Sequence, residues 1–118
     1  MAGARMRRVN EAVREVISAH ISGDLKDPRI GFVTVTGVET SPDLRSARVF
    51  VSVLGEEAER NDALAGLRAA AGFLQAQLGR ELRMKRTPTL TFVYDESVDT
   101  GMRISELLDE GKPPEPAS

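Results

Sequence analysis

The sequence predicts a single α+β domain with the element order α-β-β-α-α-β and a three-stranded mixed sheet covered by helices on one face. Two observations lead to this fold class: a long apolar-striped helical stretch broken once by small residues, and three short segments that alternate like strands. The chain has 118 residues, 41% of them hydrophobic but only five aromatic. One domain with a modest and mostly aliphatic core is therefore expected.

The first helix is indicated by apolar residues that recur at helical spacing between Met6 and His20. Gly23 or the Asp27-Pro28 pair would end it, because glycine terminates helices and proline disfavours helical geometry in the residue before it.

Two strands follow this helix. Residues 32–40 (FVTVTGVET) are rich in β-branched residues and predict a strand with a bulge at Gly37. Residues 45–54 alternate between apolar and polar side chains and predict a second strand. The intervening Ser-Pro-Asp at residues 41–43 is a turn signal, so the two strands should form an antiparallel hairpin.

The second half predicts two consecutive helices and a last strand. The helices share one apolar face, formed by Leu64, Leu67, Ala71, Leu74, Leu78 and Leu82. We expect a break at Ala70-Ala71-Gly72, where Gly72 would need a positive φ or a close backbone approach. Gly66, away from this break, should tolerate alanine. Pro88 helps to end the second helix, and residues 89–94 alternate like a half-buried strand.

The order of these elements determines the topology. The second strand, the helix pair and the last strand form a crossover, which makes those two strands parallel and the sheet order 1-2-3. This is the arrangement of a type II KH domain, an RNA-binding fold. The uncovered sheet face is left to solvent or a partner. We assign residues 1–108 to this domain, with helical turns within residues 98–108, and residues 109–118 (EGKPPEPAS after Asp109) to a disordered tail.

Composition argues against several classes of function. Cysteine is absent and His20 is the only histidine, so we expect no metal site and no cofactor. Motifs for nucleophilic or phosphate-transfer catalysis are missing, so an enzyme is not expected. No secretory signal or membrane-spanning run is found, which predicts a cytoplasmic protein without membrane contact.

The net charge of −2 hides an uneven distribution. Residues 95–118 carry seven acidic and two basic residues, which leaves 14 basic and 11 acidic residues in the first 94. The folded part is therefore mildly basic, and an acidic average does not exclude a nucleic-acid partner.

Eight basic residues are candidates for RNA contact: Arg7, Arg8, Lys26, Arg29, Arg80, Arg83, Lys85 and Arg86. The last four form a cluster that we expect to lie beside the helix break, although such a cluster is often only a solvated helix end. Lys26 and Arg29 flank a proline turn, in which Asp27 and Pro28 favour a structural role.

Six segments agree in order and spacing with one known pattern: 26–31 (KDPRIG), 41–53 (SPDLRSARVFVSV), 70–73 (AAGF), 78–80 (LGR), 88–92 (PTLTF) and 101–104 (GMRI). Together they resemble one family, the bacterial ribosome-binding factor A proteins. The resemblance covers roughly residues 5–108. Ordinary KH domains clamp nucleic acid with a GxxG loop between two helices, and no glycine pair here has that spacing. The family has an Ala-x-Gly kink instead, which Ala70, Ala71 and Gly72 match.

The resemblance implies an assembly factor that binds the small ribosomal subunit and its ribosomal RNA near the decoding region during late maturation. It also implies support for processing of that RNA's ends and for growth in the cold, with release assisted by an assembly GTPase. We expect a monomer. A KH-like module that binds protein through its open sheet face and acidic tail is the alternative. An RNA-recognition-motif domain ranks last, because Phe32 and Phe50 lack the paired aromatic motif.

Overall fold

The computed structural model describes residues 2–23 and 25–97, and it confirms the predicted order of elements. These are α1 (Ala2–Gly23), β1 (Val33–Thr40), β2 (Ser46–Val53), α2 (Glu57–Ala69), α3 (Ala71–Glu81) and β3 (Thr89–Tyr94). The predicted helical turns of residues 98–108 and the predicted tail of residues 109–118 lie outside the described residues.

The sheet has the predicted mixed topology. Its strand order is β1-β2-β3, with β1 and β2 antiparallel and β2 and β3 parallel. The register shifts between Val35 and Gly37, which confirms a bulge at this point of β1. The pairing of Ser46 with Thr89 brings the beginnings of β2 and β3 together.

The helices cover one face of this sheet. Alternate strand residues point into a mostly aliphatic core, which includes Val35, Val38, Ala47, Val49, Val51, Val53, Leu90 and the aromatic Phe92. Val13 and Ile17 of α1 and Leu67, Leu74 and Leu78 of the helix pair complete that core and are fully buried. The opposite face carries Arg48, which forms an ion pair with Glu39. The guanidinium carbon of Arg48 also lies 5.5 Å from the centre of the Phe50 ring.

The domain has two ends, set by the direction of the strands. At the end that we call the turn end, the β1–β2 turn (residues 41–45) meets the α3–β3 turn (residues 82–88), because the Thr89 N–H donates to the Arg45 carbonyl at 2.9 Å. The N-terminal half of α1 lies near the same end, since the Asn10 side chain accepts a hydrogen bond from the Thr40 N–H at 2.9 Å. The opposite end, the break end, holds residues 25–32 and the α2–α3 junction.

The helix break lies where the sequence predicts it, but glycine does not cause it. Ala70 alone interrupts the two helices, with φ −88° and ψ −1°, and its N–H reaches the carbonyls of Gly66 and Leu67. Gly72 lies within α3, has no positive φ, and offers open space to an added Cβ. Its expected special role is wrong.

Gly66 has the close approach that was expected of Gly72. An ideal Cβ built on Gly66 would lie 2.6 Å from Cγ1 of Ile30, closer than real Cβ contacts allow. The expectation that Gly66 tolerates alanine is therefore wrong. The cause is the loop between α1 and β1, which packs directly onto the backbone of α2.

The end of α3 also differs from expectation. The helix ends at Glu81, well before Pro88, because Arg83 adopts a left-handed conformation with φ 50° directly after the C-cap Leu82. Pro88 is instead buried in the turn that leads into β3.

Candidate nucleic-acid interface

The β1–β2 turn is held rigidly by its own side chains. The Ser41 hydroxyl donates to Oδ1 of Asp43 at 2.6 Å and accepts from the Ser46 N–H at 3.1 Å. The Leu44 N–H donates to the Ser41 carbonyl at 2.9 Å, and the Arg45 N–H donates to Oδ1 of Asp43 at 3.1 Å. The hydrogen bond from Ser41, followed by that from the Arg45 backbone, lowers the pKa of Asp43, which therefore stays ionised at neutral pH.

The α3–β3 turn is fixed by contacts to neighbouring elements. Besides the bond between Thr89 and Arg45, the Leu90 N–H donates to the side-chain oxygen of Gln75 on α3 at 3.2 Å. Both turns thus have defined positions, and the side chains that they carry are placed side by side.

Most of the predicted RNA-binding residues gather at the turn end. Six of the eight are there, on α1, at the end of α3 and in the α3–β3 turn: Arg7, Arg8, Arg80, Arg83, Lys85 and Arg86. All six are exposed. We call these six, together with Arg45, the turn-end basic surface.

Arg45 was missed from the sequence, although the predicted topology contained the signal. Parallel pairing of the second and third strands places the start of one beside the start of the other. Arg45, just before β2, therefore had to lie near the basic residues that precede β3. Its exposed side chain now forms part of the same surface, with Asp43 as its neighbour at 3.8 Å.

The basic cluster does not lie beside the helix break, contrary to expectation. The 11 residues of α3 separate the two features, about 16 Å at the rise of an α-helix. The break itself borders an open pocket of about 290 Å³ at the break end. Lys26 is the basic residue that lines this pocket, alongside Ala69, Ala70 and the partly exposed Phe73.

Arg29 is held by an acidic neighbour within its own turn. Its Nε and Nη2 donate to Oδ2 of Asp27 at 3.1 and 2.7 Å, and its backbone N–H donates to Oδ1 at 2.9 Å. These bonds lower the pKa of Asp27, the side-chain hydrogen bond from Arg29 contributing most. Arg29 and Asp27 therefore brace the loop, and Arg29 offers fewer donors to a phosphate than the turn-end residues do.

Because the folded-state pKa of Asp27 is depressed, its ion pair should stabilise the domain above the usual value of 3.8 and lose that effect as the pH falls below it. We expect the wild-type chain to lose unfolding free energy more steeply than Asp27→Asn between pH 5 and about 2, as measured by urea melts. Parallel pH profiles of the two proteins would contradict this role of Asp27.

The described part of the chain shows neither a metal-binding cluster nor a membrane helix. Within residues 2–23 and 25–97, no three His, Asp or Glu side chains converge as metal ligands would. Across the same residues, every helix is too short or too polar to cross a bilayer. His20 is half-buried, meets the edge of Phe73 and pairs with Glu81, in line with the packed or rim position predicted for it.

Comparison with known proteins gives a consistent result. The family model for ribosome-binding factor A matches residues 5–108. Ribosome-binding factor A of Anaeromyxobacter sp. (strain K) is 56% identical over 109 residues, which cover 92% of this chain and 79% of that protein.

The similar solved structures belong to the same family as the sequence relatives. The crystal structure of ribosome-binding factor A from Thermus thermophilus is similar, with a TM-score of 0.68 and 31% identity over 75% of this chain and 93% of that one. A homology model of the Thermus thermophilus factor, fitted into a cryo-EM map of its complex with 30S, gives a TM-score of 0.62 and 32% identity. It covers 74% of this chain and 91% of that one.

Proposed function

The chain belongs to the ribosome-binding factor A family, and we propose that it binds the small ribosomal subunit and its ribosomal RNA during late maturation. The observation that carries the RNA contact is the turn-end basic surface. Arg45, Lys85 and Arg86 line the same hollow between the two turns, and the other four exposed cations lie on α1, α3 and the α3–β3 turn toward this end. The 30S complex of the Thermus thermophilus relative supports the choice of partner.

The physical basis of binding is charge attraction to phosphates. Exposed Arg and Lys side chains displace counterions from the RNA backbone, which makes affinity depend steeply on salt. The guanidinium groups can bind phosphate oxygens in pairs, whereas Lys85 supplies a point charge. A rigid turn beneath these side chains reduces the entropy that is lost when they engage the RNA.

Family membership supports several finer proposals. We propose that the factor acts near the decoding region, supports processing of the small-subunit RNA ends and growth in the cold, and is released with the help of an assembly GTPase. It would act as a monomer in the cytoplasm, by binding and without a catalytic step.

Charge reversal at the turn end tests the RNA contact. Lys85→Glu combined with Arg86→Glu should weaken binding to purified small subunits and lower the salt slope of binding by about two units, one for each lost phosphate contact. Binding is measured by sedimentation at several salt concentrations. Lys26→Glu combined with Arg68→Glu is the matched variant. Arg68 is exposed in the last turn of α2, next to the break, so this variant changes the charge equally at the break end.

Two results would contradict this assignment. Equal weakening by both double variants would mean that the turn end is not the preferred contact. Unchanged binding by the Lys85 and Arg86 variant, with an intact circular dichroism spectrum, would remove this surface from the interface.

Protein binding remains the second candidate, favoured by an apolar pair at the break end. Phe32 and Leu54 are 79% and 76% exposed, and the Leu54 N–H donates to the Phe32 carbonyl at 3.1 Å. The affinity of a contact through these apolar side chains would depend little on salt concentration, whereas the affinity of a phosphate contact would fall steeply with salt. Salt-insensitive binding to the subunit that is lost in Phe32→Ser would favour this candidate.

A further inference from the structure

A groove separates the two turns at the turn end. It has a volume of about 470 Å³ and is lined by Asp43, Leu44, Arg45, Met84, Lys85 and Arg86. Leu44 and Met84 are half-buried and give it an apolar floor, while the three cations are exposed along its rim. We call this the turn groove. Its volume falls within the range of about 300–1,000 Å³ that is usual for sites of small ligands.

Backbone strain is concentrated around this groove. Among the described residues, two that are not glycine have a positive φ: Leu44 at 61° and Arg83 at 50°. Leu44 lies in the floor, and Arg83 directly precedes Met84. Such conformations are costly for residues with a Cβ, and they cluster at functional sites. Glycine would suit the backbone at residue 44 better, but Leu44 places an apolar side chain in the floor of the groove.

We propose that the turn groove receives one unstacked nucleotide of single-stranded RNA, an inference that rests on the proposed function and deepens it. The base would lie on Leu44 and Met84, and its phosphate would contact Lys85 or Arg86. The chemistry of the groove fits both halves of a nucleotide, because an apolar floor suits the face of a base and a cationic rim suits the backbone.

Asp43 adds a hydrogen-bond acceptor for the edge of the base. Its Oδ1 is used by Ser41 and by the Arg45 backbone, whereas the contact of its Oδ2 is an ion pair with Nε of Arg45 at 3.8 Å. An ionised carboxylate can accept a hydrogen bond from an amino or imino group of a base but not from a phosphate. Asp43 would therefore direct the base inward and keep the phosphate at the rim.

The test uses two probes that differ in one base. One is a pentanucleotide RNA without secondary structure, and the other is the same pentamer with an abasic central nucleotide, which keeps the charge. Leu44→Gly removes the floor and relieves the positive φ, so a loss of binding is not a loss of fold. We expect Leu44→Gly to weaken binding of the intact pentamer about fivefold, measured by fluorescence anisotropy, and to leave the abasic pentamer unaffected.

The matched control is Leu54→Gly, which removes an exposed apolar side chain at the other end and should change neither affinity. Met84→Ala is the second floor variant and should also weaken the intact pentamer selectively. If both floor variants bind the intact pentamer as tightly as wild type does, the inference is wrong. If both floor variants lose binding to small subunits but keep wild-type affinity for the intact pentamer, the groove binds a protein and the nucleotide assignment is wrong.

The same measurements separate the inference from the proposed function. If the wild-type chain sediments with small subunits and Leu44→Gly binds the intact pentamer as tightly as wild type does, the inference alone is wrong. Wild-type chain that does not sediment with small subunits would overturn the proposed function, and the inference with it.

Discussion

Gly66→Ala should destabilise the domain by about 1–3 kcal/mol, the usual cost of adding a methyl group to a packed site. The new Cβ would lie 2.6 Å from Cγ1 of Ile30 and 3.2 Å from its Cδ1. Ile30 cannot retreat easily, because its N–H donates to the Asp27 carbonyl at 3.0 Å and Asp27 is held by Arg29. The better helix propensity of alanine, worth up to about 1 kcal/mol, is too small to offset the clash.

Gly72→Ala is the matched control and should be neutral or stabilising by up to about 1 kcal/mol, since its Cβ meets open space in a helix. Urea melts of both variants measure the difference. Ile30→Ala should lower the cost of Gly66→Ala in a double-mutant cycle, because it removes the atoms that collide. Equal effects of alanine at the two glycines would show that the α1–β1 loop does not pack on α2 as described.

The sequence predicts the architecture well because local signals agree with one another. Alternation in β2, the helical stripe from Leu64 to Leu82 and the turn at residues 41–43 each define an element, and the crossover rule orders the strands. The break falls at the predicted position, but Gly72, on which that prediction rested, lies inside α3 and does not cause it.

What the sequence could not provide is contact between distant segments. The restriction at Gly66 comes from Ile30, 36 positions earlier, and no pattern around either residue reveals it. The same reason explains the misplaced basic cluster: residues near the break along the chain are separated from it in space by the length of α3. Arg45 was the exception, because strand pairing alone brings it to the basic surface.

Arg83→Gly should change stability and binding in opposite directions. Arg83 occupies the position after the C-cap of α3 with φ 50°, where glycine is the usual residue because it has no Cβ. Glycine there should stabilise the domain by about 0.5–1 kcal/mol. The same substitution removes a guanidinium from the turn-end basic surface. If that group bonds a phosphate, binding to small subunits should weaken about tenfold, which is the usual contribution of a charged hydrogen bond to affinity.

Arg83→Ala separates the two effects, since it removes the charge but keeps a Cβ in the strained conformation. It should weaken subunit binding as much as glycine does without the gain in stability. In urea melts, we expect Arg83→Gly to be more stable than both the wild-type chain and Arg83→Ala. In sedimentation, we expect the wild-type chain to bind small subunits more tightly than either variant. Full subunit binding by Arg83→Gly would mean that the strain at residue 83 does not serve the RNA contact, and the conformation would then need a purely structural cause within the α3–β3 turn.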